Sequence, residues 1–199
     1  MLRNPHEIVR WFEEEVAHYT GAPHAVSVDS CTNAVRMCCE YADVEEVTIP
    51  SSTYVSIPQS IMQAGGTVSI EDVEWEGIYQ LKPYQIYDAA KRFTSNMYIK
   101  GTLMCLSFGI KKNLKMGKGG MILTDSIEAV EALKKLRWSG RHEATPMAED
   151  DIETMGYNSY ITPEWAARGL MLLSVYPEHQ DDQSEPGGYP NLSRYGFMQ

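Results

Sequence analysis

The chain has 199 residues, 43% of them hydrophobic and 22% charged, and carries a net charge of −10. That length suits one domain able to bury most of its apolar surface, and the acidic balance argues against non-specific nucleic-acid binding by the whole surface. No apolar run approaches the ~20 residues that span a bilayer, so no membrane association is expected. The stretch MLRNPHEIVRWFEEEV is acidic where an export signal would be apolar. Cys31, Cys38, Cys39 and Cys105 form neither a CxxC pair nor a secreted framework, which points to buried thiols in a cytoplasmic protein.

In chain order, PHEIVRWFEEEVAHYTG sets Ile8, Trp11, Phe12, Val16 and Tyr19 at helical spacing and ends on Gly21. HAVSVDS alternates as a short strand, and CTNAVRMCCEYAD returns to a helical period through Ala34, Met37, Cys38 and Tyr41. EEVTIPSS reads as a second strand with a proline stop, and SIPQSIMQAGG as a helix with a glycine end. GTVSIEDV, YQIYDAA, GTLMCLSF and GGMILTD read as the third to sixth strands. SIEAVEALKKLRW and TPEWAARGLMLLSVYPEH are helical, the latter opening on Thr162, Pro163 and Glu164. The closing DDQSEPGGYPNLSRYGFMQ is rich in turn formers and is expected to wrap the surface or be loosely held.

Strands alternating with helices predict an α/β domain with a mainly parallel sheet sandwiched by helices. Ligands of such sheets sit beyond the carboxyl ends of the strands, and Ser30, the run Ser51 to Tyr54, Asp88 and Ser107 all fall at such ends. The stretch LSFGIKKNLKMGKGGMILTD, residues 106–125, belongs to a segment that holds most of the basic side chains. By itself it suits a solvated turn, a phosphate cradle or a catalytic lysine; a P-loop is excluded, because GxxxxGK[ST] is absent. Taken singly, Asp88 also suits a helix cap, SCTN a capping sequence, and Tyr54 core packing.

These strand-end residues stand in the order of a known family. FEEEVAHYTGAPHAVSVDSCTNAV, IPSSTYVSIPQSIMQAGGTV, IYDAAK, SFGIKKNLKMGKGG, LRWSGR and MGYNSYITPEWAARGL resemble, in register, the large domain of the DegT/DnrJ/EryC1/StrS aminotransferases. The resemblance implies a fold type I transferase domain over residues 1–180, with residues 181–199 as a tail, and pyridoxal 5′-phosphate (PLP) as cofactor. It implies that Lys112 forms the internal Schiff base and shuttles protons, and that Asp88 pairs with the protonated ring nitrogen. Cys31 and Thr32 amides, the Thr32 hydroxyl and Ser107 would bind the phosphate at a helix N-terminus. Tyr54 would stack on the ring, Lys91 would lie near its phenolic oxygen, and Asn158 would reach the phosphate of a partner subunit in a homodimer with a shared active site.

The chain departs from the family pattern at several places. Gly109 stands where relatives have His or Tyr, Lys118 where they have Glu, Lys91 where they have His or Gln, and Cys31 where they have a small glycine that a thiol would crowd. The smaller C-terminal domain of the family has no counterpart in these residues. An open, more basic mouth implies a large or polyanionic substrate: a nucleotide sugar, a carrier-linked group or nucleic acid. The leading expectation is transamination of a keto-sugar nucleotide through an external aldimine with a primary amine. A decarboxylase or lyase acting on an amino-acid moiety, attached to a nucleotide or a modified DNA base, is the first alternative. A non-catalytic binding protein on the same scaffold is the second.

Overall fold

A computed structural model describes residues 4, 6–184 and 188–198; of the expected tail, residues 185–187 and 199 lie outside them. The elements follow as α1 (Glu7–Thr20), β1 (His24–Val28), α2 (Cys31–Tyr41), β2 (Glu46–Pro50), α3 (Ser56–Gln63), β3 (Thr67–Glu71), β4 (Tyr79–Gln80), β5 (Ile86–Asp88), β6 (Leu103–Ser107), β7 (Gly120–Thr124), α4 (Ile127–Arg137) and α5 (Pro163–Leu173). Two 3-10 turns, Leu192–Arg194 and Gly196–Met198, follow. α1 ends as its sequence predicts, on Gly21 in the left-handed region at φ 74°, whose N–H closes on Ala17 and His18 carbonyls. Its buried face differs from the one expected: Val9, Phe12, Val16 and Ala17 point inward, while Trp11 is exposed. α5 stops at Leu173, well before the end of its predicted segment.

β1-β7-β6-β5-β4 form one sheet, and β2-β3 form a second, joined to it by mutual backbone hydrogen bonds between Thr48 and Lys82. The α/β class is as expected, but the strand directions are mixed rather than mainly parallel. β5 runs parallel to β6 and β2 to β3, whereas β7 opposes both β1 and β6, and β4 opposes β5. The reason lies in the connections. Parallel neighbours need a crossover of roughly a dozen or more residues. The connection 89–102 provides one, whereas 81–85 is too short, and 108–119 folds back on itself through backbone hydrogen bonds of Phe108 with Gly117 and Gly119, so those two chains return alongside the strand they left.

Alternation places the two faces of the sheet in different cores. Leu103, Cys105 and Ile122 face α2, α3 and α4 through Val35, Ile61 and Leu133. Met104, Leu106, Met121 and Leu123 face α1 and α5 through Phe12, Val16 and Ala166. Both faces are therefore covered, as near-continuous apolar runs such as LMCL and MIL require. Among the described residues all four cysteines are free and buried, and no helix is long and apolar enough to cross a membrane.

Candidate active site

β1, β5 and β6 point the same way, so Asp29 and Ser30, Asp88, and Ser107 arrive at one edge of the sheet. β7 begins at that edge with Gly120. A Cβ there would lie 2.5–2.7 Å from the Ser30–Cys31 peptide, so glycine is what lets α2 start against the sheet. A cleft of about 440 Å³ opens over this edge, a size typical of small-ligand sites.

The start of α2 forms one wall. Ser30 is its extended N-cap, and the Ser30 hydroxyl accepts from the Asn33 N–H at 3.2 Å. The two amides ahead of Asn33, those of Cys31 and Thr32, belong to cleft-lining residues at the positive end of the helix dipole. Such an end binds phosphate. The Thr32 hydroxyl lies 2.8 Å from that of Ser56, the first residue of α3. Asp29, which sequence reasoning passed over, accepts from Ser30 Oγ at 3.0 Å and Asn33 Nδ2 at 2.6 Å, so it braces the turn from inside the same wall.

Asp88 forms the floor and is 3% exposed. Its Oδ1 accepts the Ala90 N–H and its Oδ2 the Tyr79 hydroxyl, each at 2.9 Å. Burial holds the carboxyl above its ordinary range, while those two donors and the ammonium groups of Lys112 and Lys91 pull against that rise. The Cys31 thiol does not crowd the helix start. It lies at the floor, 3.6 Å from the Cys105 carbonyl and 4.0 Å from Asp88 Oδ1. Burial, then Asp88 and Cys105, push its pKa well up, with Lys112 opposing, so it stays a thiol.

The turn after β6 forms the second wall. The Lys112 N–H donates to the Gly109 carbonyl at 3.0 Å, and the Gly117 N–H to the Phe108 carbonyl at 3.0 Å, closing the turn. Lys112 is half-buried and lines the cleft; Lys111 lines it from an exposed position, and Lys115 is exposed and outside it. At Gly109 a Cβ would make ordinary contacts, 3.7 Å from Lys112 Cγ and 3.8 Å from Ser107 Oγ, so its absence widens the space beside both.

Aromatic groups make the mouth. Tyr54 is 54% exposed and meets Tyr189 edge-on at 6.1 Å. Lys91 Nζ lies 4.7 Å from the Trp75 ring centre and 4.9 Å from that of Tyr189, two rings within 8° of parallel. Lys91 is thus clamped at the rim by cation–π contacts. The tail carries Tyr189 there: Leu192 is fully buried, and its N–H donates to the Ser51 carbonyl at 2.7 Å. Asp182 takes a two-pronged contact from Arg92, Nε at 2.8 Å.

Of the predicted site residues, Cys31, Thr32, Tyr54, Asp88, Lys91, Ser107 and Lys112 all line this cleft. Asn158 does not. It is exposed, paired with Trp138 in an isolated bridge beyond α4. The residues missed were Asp29, Trp75, Tyr79 and Tyr189, all part of the cleft or, for Tyr79, of its floor, while Thr53, inside the strand-end run Ser51 to Tyr54, also lines it. Reading GIYQLKPYQIYD as a hairpin about Pro83 would have set Tyr79 opposite Asp88.

The model of the DegT/DnrJ/EryC1/StrS aminotransferase family matches residues 2–99 and 97–185. The chain belongs to that family. It is 24% identical over 233 positions to the spore coat polysaccharide biosynthesis protein SpsC of Bacillus subtilis (strain 168), covering 90% of this chain and 60% of that one. It is 24% identical over 213 positions to the GDP-perosamine synthase of Caulobacter vibrioides (strain ATCC 19089 / CIP 103742 / CB 15), covering 84% and 57%. Both alignments are longer than this chain, so these two relatives carry internal segments without a counterpart here. Its fold is that of AtS13 from Actinomadura melliaura, with a TM-score of 0.76 at 20% identity, covering 85% of this chain and 60% of the other. The chain spans about 60% of the length of the curated relatives it matches.

Proposed function

We propose that this cleft holds PLP and that the chain is the cofactor-binding part of an aminotransferase acting on a keto sugar, most simply a sugar nucleotide. The observation that carries the proposal is the convergence of three unlike groups on one cleft: the N-terminus of α2, the buried Asp88 and the half-buried Lys112. Among the described residues Asp88, held out of water, takes its hydrogen bonds from neutral donors, with the charges of Lys112 and Lys91 acting beside them, so a cationic ring nitrogen fits as the hydrogen-bonded partner of its charge. The α2 amides and the Ser107 and Thr32 hydroxyls fit a phosphate on the adjacent wall. The residues present therefore fit the cofactor.

When bound, PLP acts as an electron sink for the bond broken at the amine carbon. The rest falls to the chain. Asp88 would hold the ring nitrogen and keep it protonated. Lys112 would anchor the cofactor through its Nζ, and the same amine would serve to hold and move a proton there. Tyr54, at the mouth, would pack against the bound group and help to exclude water. Lys91 and the exposed Lys118 place positive charge at the entrance, where a diphosphate would pass. Asn158 is turned away from its own cleft, and we assign it to the cleft of a second copy in a two-fold dimer.

The test is direct. PLP-treated protein, reduced with borohydride and digested, should carry the pyridoxyl mass on the peptide containing Lys112, and Lys112→Ala should not. With glutamate and keto-sugar nucleotides, stoichiometric keto acid should form. Carbon dioxide release without keto acid would replace transamination by decarboxylation, and no uptake of PLP would sink the reading.

A further inference from the structure

We infer that Tyr79 is a positioning residue for Asp88, fixing the direction and the ionisation of the carboxylate that meets the cofactor ring; the inference rests on the PLP reading above. β4 lies antiparallel to β5 with Tyr79 directly opposite Asp88, so the two side chains share a face. The Tyr79 hydroxyl is 2.9 Å from Asp88 Oδ2 and 2.7 Å from Thr53 Oγ1.

The polarity of this chain is determined. An ionised carboxylate only accepts, so Tyr79 spends its one proton on Asp88, and Thr53 must then donate to Tyr79. All three groups are buried, and hydrogen bonds so linked reinforce one another. Trp75 packs on the Tyr79 ring at 4.6 Å and is itself tied down by its indole N–H to the Ser52 carbonyl at 2.9 Å. The phenol therefore has no room to swing. Burial, and then Asp88, raise the Tyr79 pKa well above its ordinary value, so it remains a donor at any working pH.

The groups that bear on Asp88 come from every side. Tyr79 faces it from β4, Cys31 from α2, Cys105 from β6, Lys112 from the turn after β6, and Lys91 from beyond β5. Of the hydroxyls and thiols among the described residues, Tyr79 alone donates to Asp88 at ordinary O–H···O distance. Without it the carboxyl keeps its burial and loses one of its two close donors, which moves it toward the neutral acid. A neutral acid no longer holds the ring nitrogen protonated.

The experiment uses the full chain loaded with PLP labelled with 15N at the ring nitrogen, in wild type, Tyr79→Phe, Thr53→Val, Asp88→Asn and the Tyr79→Phe/Asp88→Asn double variant. Tyr79→Phe keeps the ring packing. It should weaken PLP binding about tenfold and lower the pH at which the ring nitrogen loses its proton; Thr53→Val should do the same by less. In the Asp88→Asn background, Tyr79→Phe should cost no further affinity, which a merely structural role would not predict. Equal losses in both backgrounds, or an unchanged nitrogen titration in Tyr79→Phe, would overturn the inference while leaving the PLP reading intact. Wild type that takes up no PLP would overturn both. If Tyr79→Phe does not fold, Thr53→Val carries the comparison, and an unshifted titration there overturns the inference.

Discussion

Glu13 and Asp88 both lie almost wholly inside this protein, and their surroundings differ in one respect. Glu13, 5% exposed on α1, accepts from the Ser27 N–H at 2.8 Å, the Ser27 hydroxyl at 2.7 Å and Arg137 at 2.5 Å. Arg137 also reaches Glu143 at 2.6 Å and the Ser27 carbonyl, so the cluster joins α1, β1 and α4 with each charge answered. Burial works against the Arg137 charge, and Glu13 and Glu143 more than offset it, holding the guanidinium above its ordinary value. Asp88 is as deeply buried but receives neutral donors and opens on the cleft. The first carboxylate is answered by its own chain through Arg137; the second takes hydrogen bonds from the Ala90 N–H and the Tyr79 hydroxyl, with the charges of Lys112 and Lys91 also acting on it. On the PLP reading proposed above, a cationic ring nitrogen would complete Asp88, and the source of the counter-charge, not burial, would separate the two.

The comparison can be broken in several ways. Lys112→Ala should lower turnover by about 10²–10⁴-fold, with unfolding free energy changed by less than about 0.5 kcal/mol; steady-state kinetics and urea titration check the two halves. Arg137→Met should do the reverse. It strands Glu13 in the interior at a cost of roughly 3–5 kcal/mol, read in the same urea titration, without touching the cleft. Gly120→Ala should cost about 1–3 kcal/mol, because the new methyl meets the Ser30–Cys31 peptide; PLP affinity should fall with it, since that peptide opens the phosphate wall.

Asp88→Asn sharpens the contrast through pH. The folded protein binds the Asp88 proton more tightly than the unfolded chain does, because burial raises this pKa. The group's contribution to stability is therefore most favourable below the ordinary carboxylate range and declines as pH rises through the shifted pKa. Ligand-free Asp88→Asn should be more stable than wild type at neutral pH, with the gap closing in acid, while binding PLP more weakly. Thermal melts across pH measure this, and a wild type that outlasts the variant at neutral pH would count against a net burial penalty on this carboxylate. Tyr189→Ala is expected to matter least. Loss of one face of the Lys91 clamp should raise the KM of an anionic substrate a few-fold, within the ~0.5–2 kcal/mol of a cation–π contact, and leave kcat unchanged.

The wall residues were legible in the sequence because each signal is local. Ser30 caps a helix three residues before Asn33, and Lys112 follows Ser107 at the spacing the family uses. Tyr79 was missed because β4 is two residues long and leaves no alternation to read; the hairpin about Pro83 was the one signal of its register. The strand directions escaped as well. The runs around β6 and β7 are apolar on both faces whichever way they point, and the matter is decided by the five-residue return at 81–85 and by the fold-back of 108–119 on Phe108.

The sequence by itself determined the order of the helices and of every strand but β4, the chemical types at the strand ends and the family, because propensity, capping and motif spacing act within a few residues. Only the tertiary structure decided that Glu13 meets Arg137, that Asp88 lies buried opposite Tyr79, and that the tail brings Tyr189 to the mouth of the cleft. Counter-charge and burial are properties of residues far apart in the chain, and they exist only once the layers have packed.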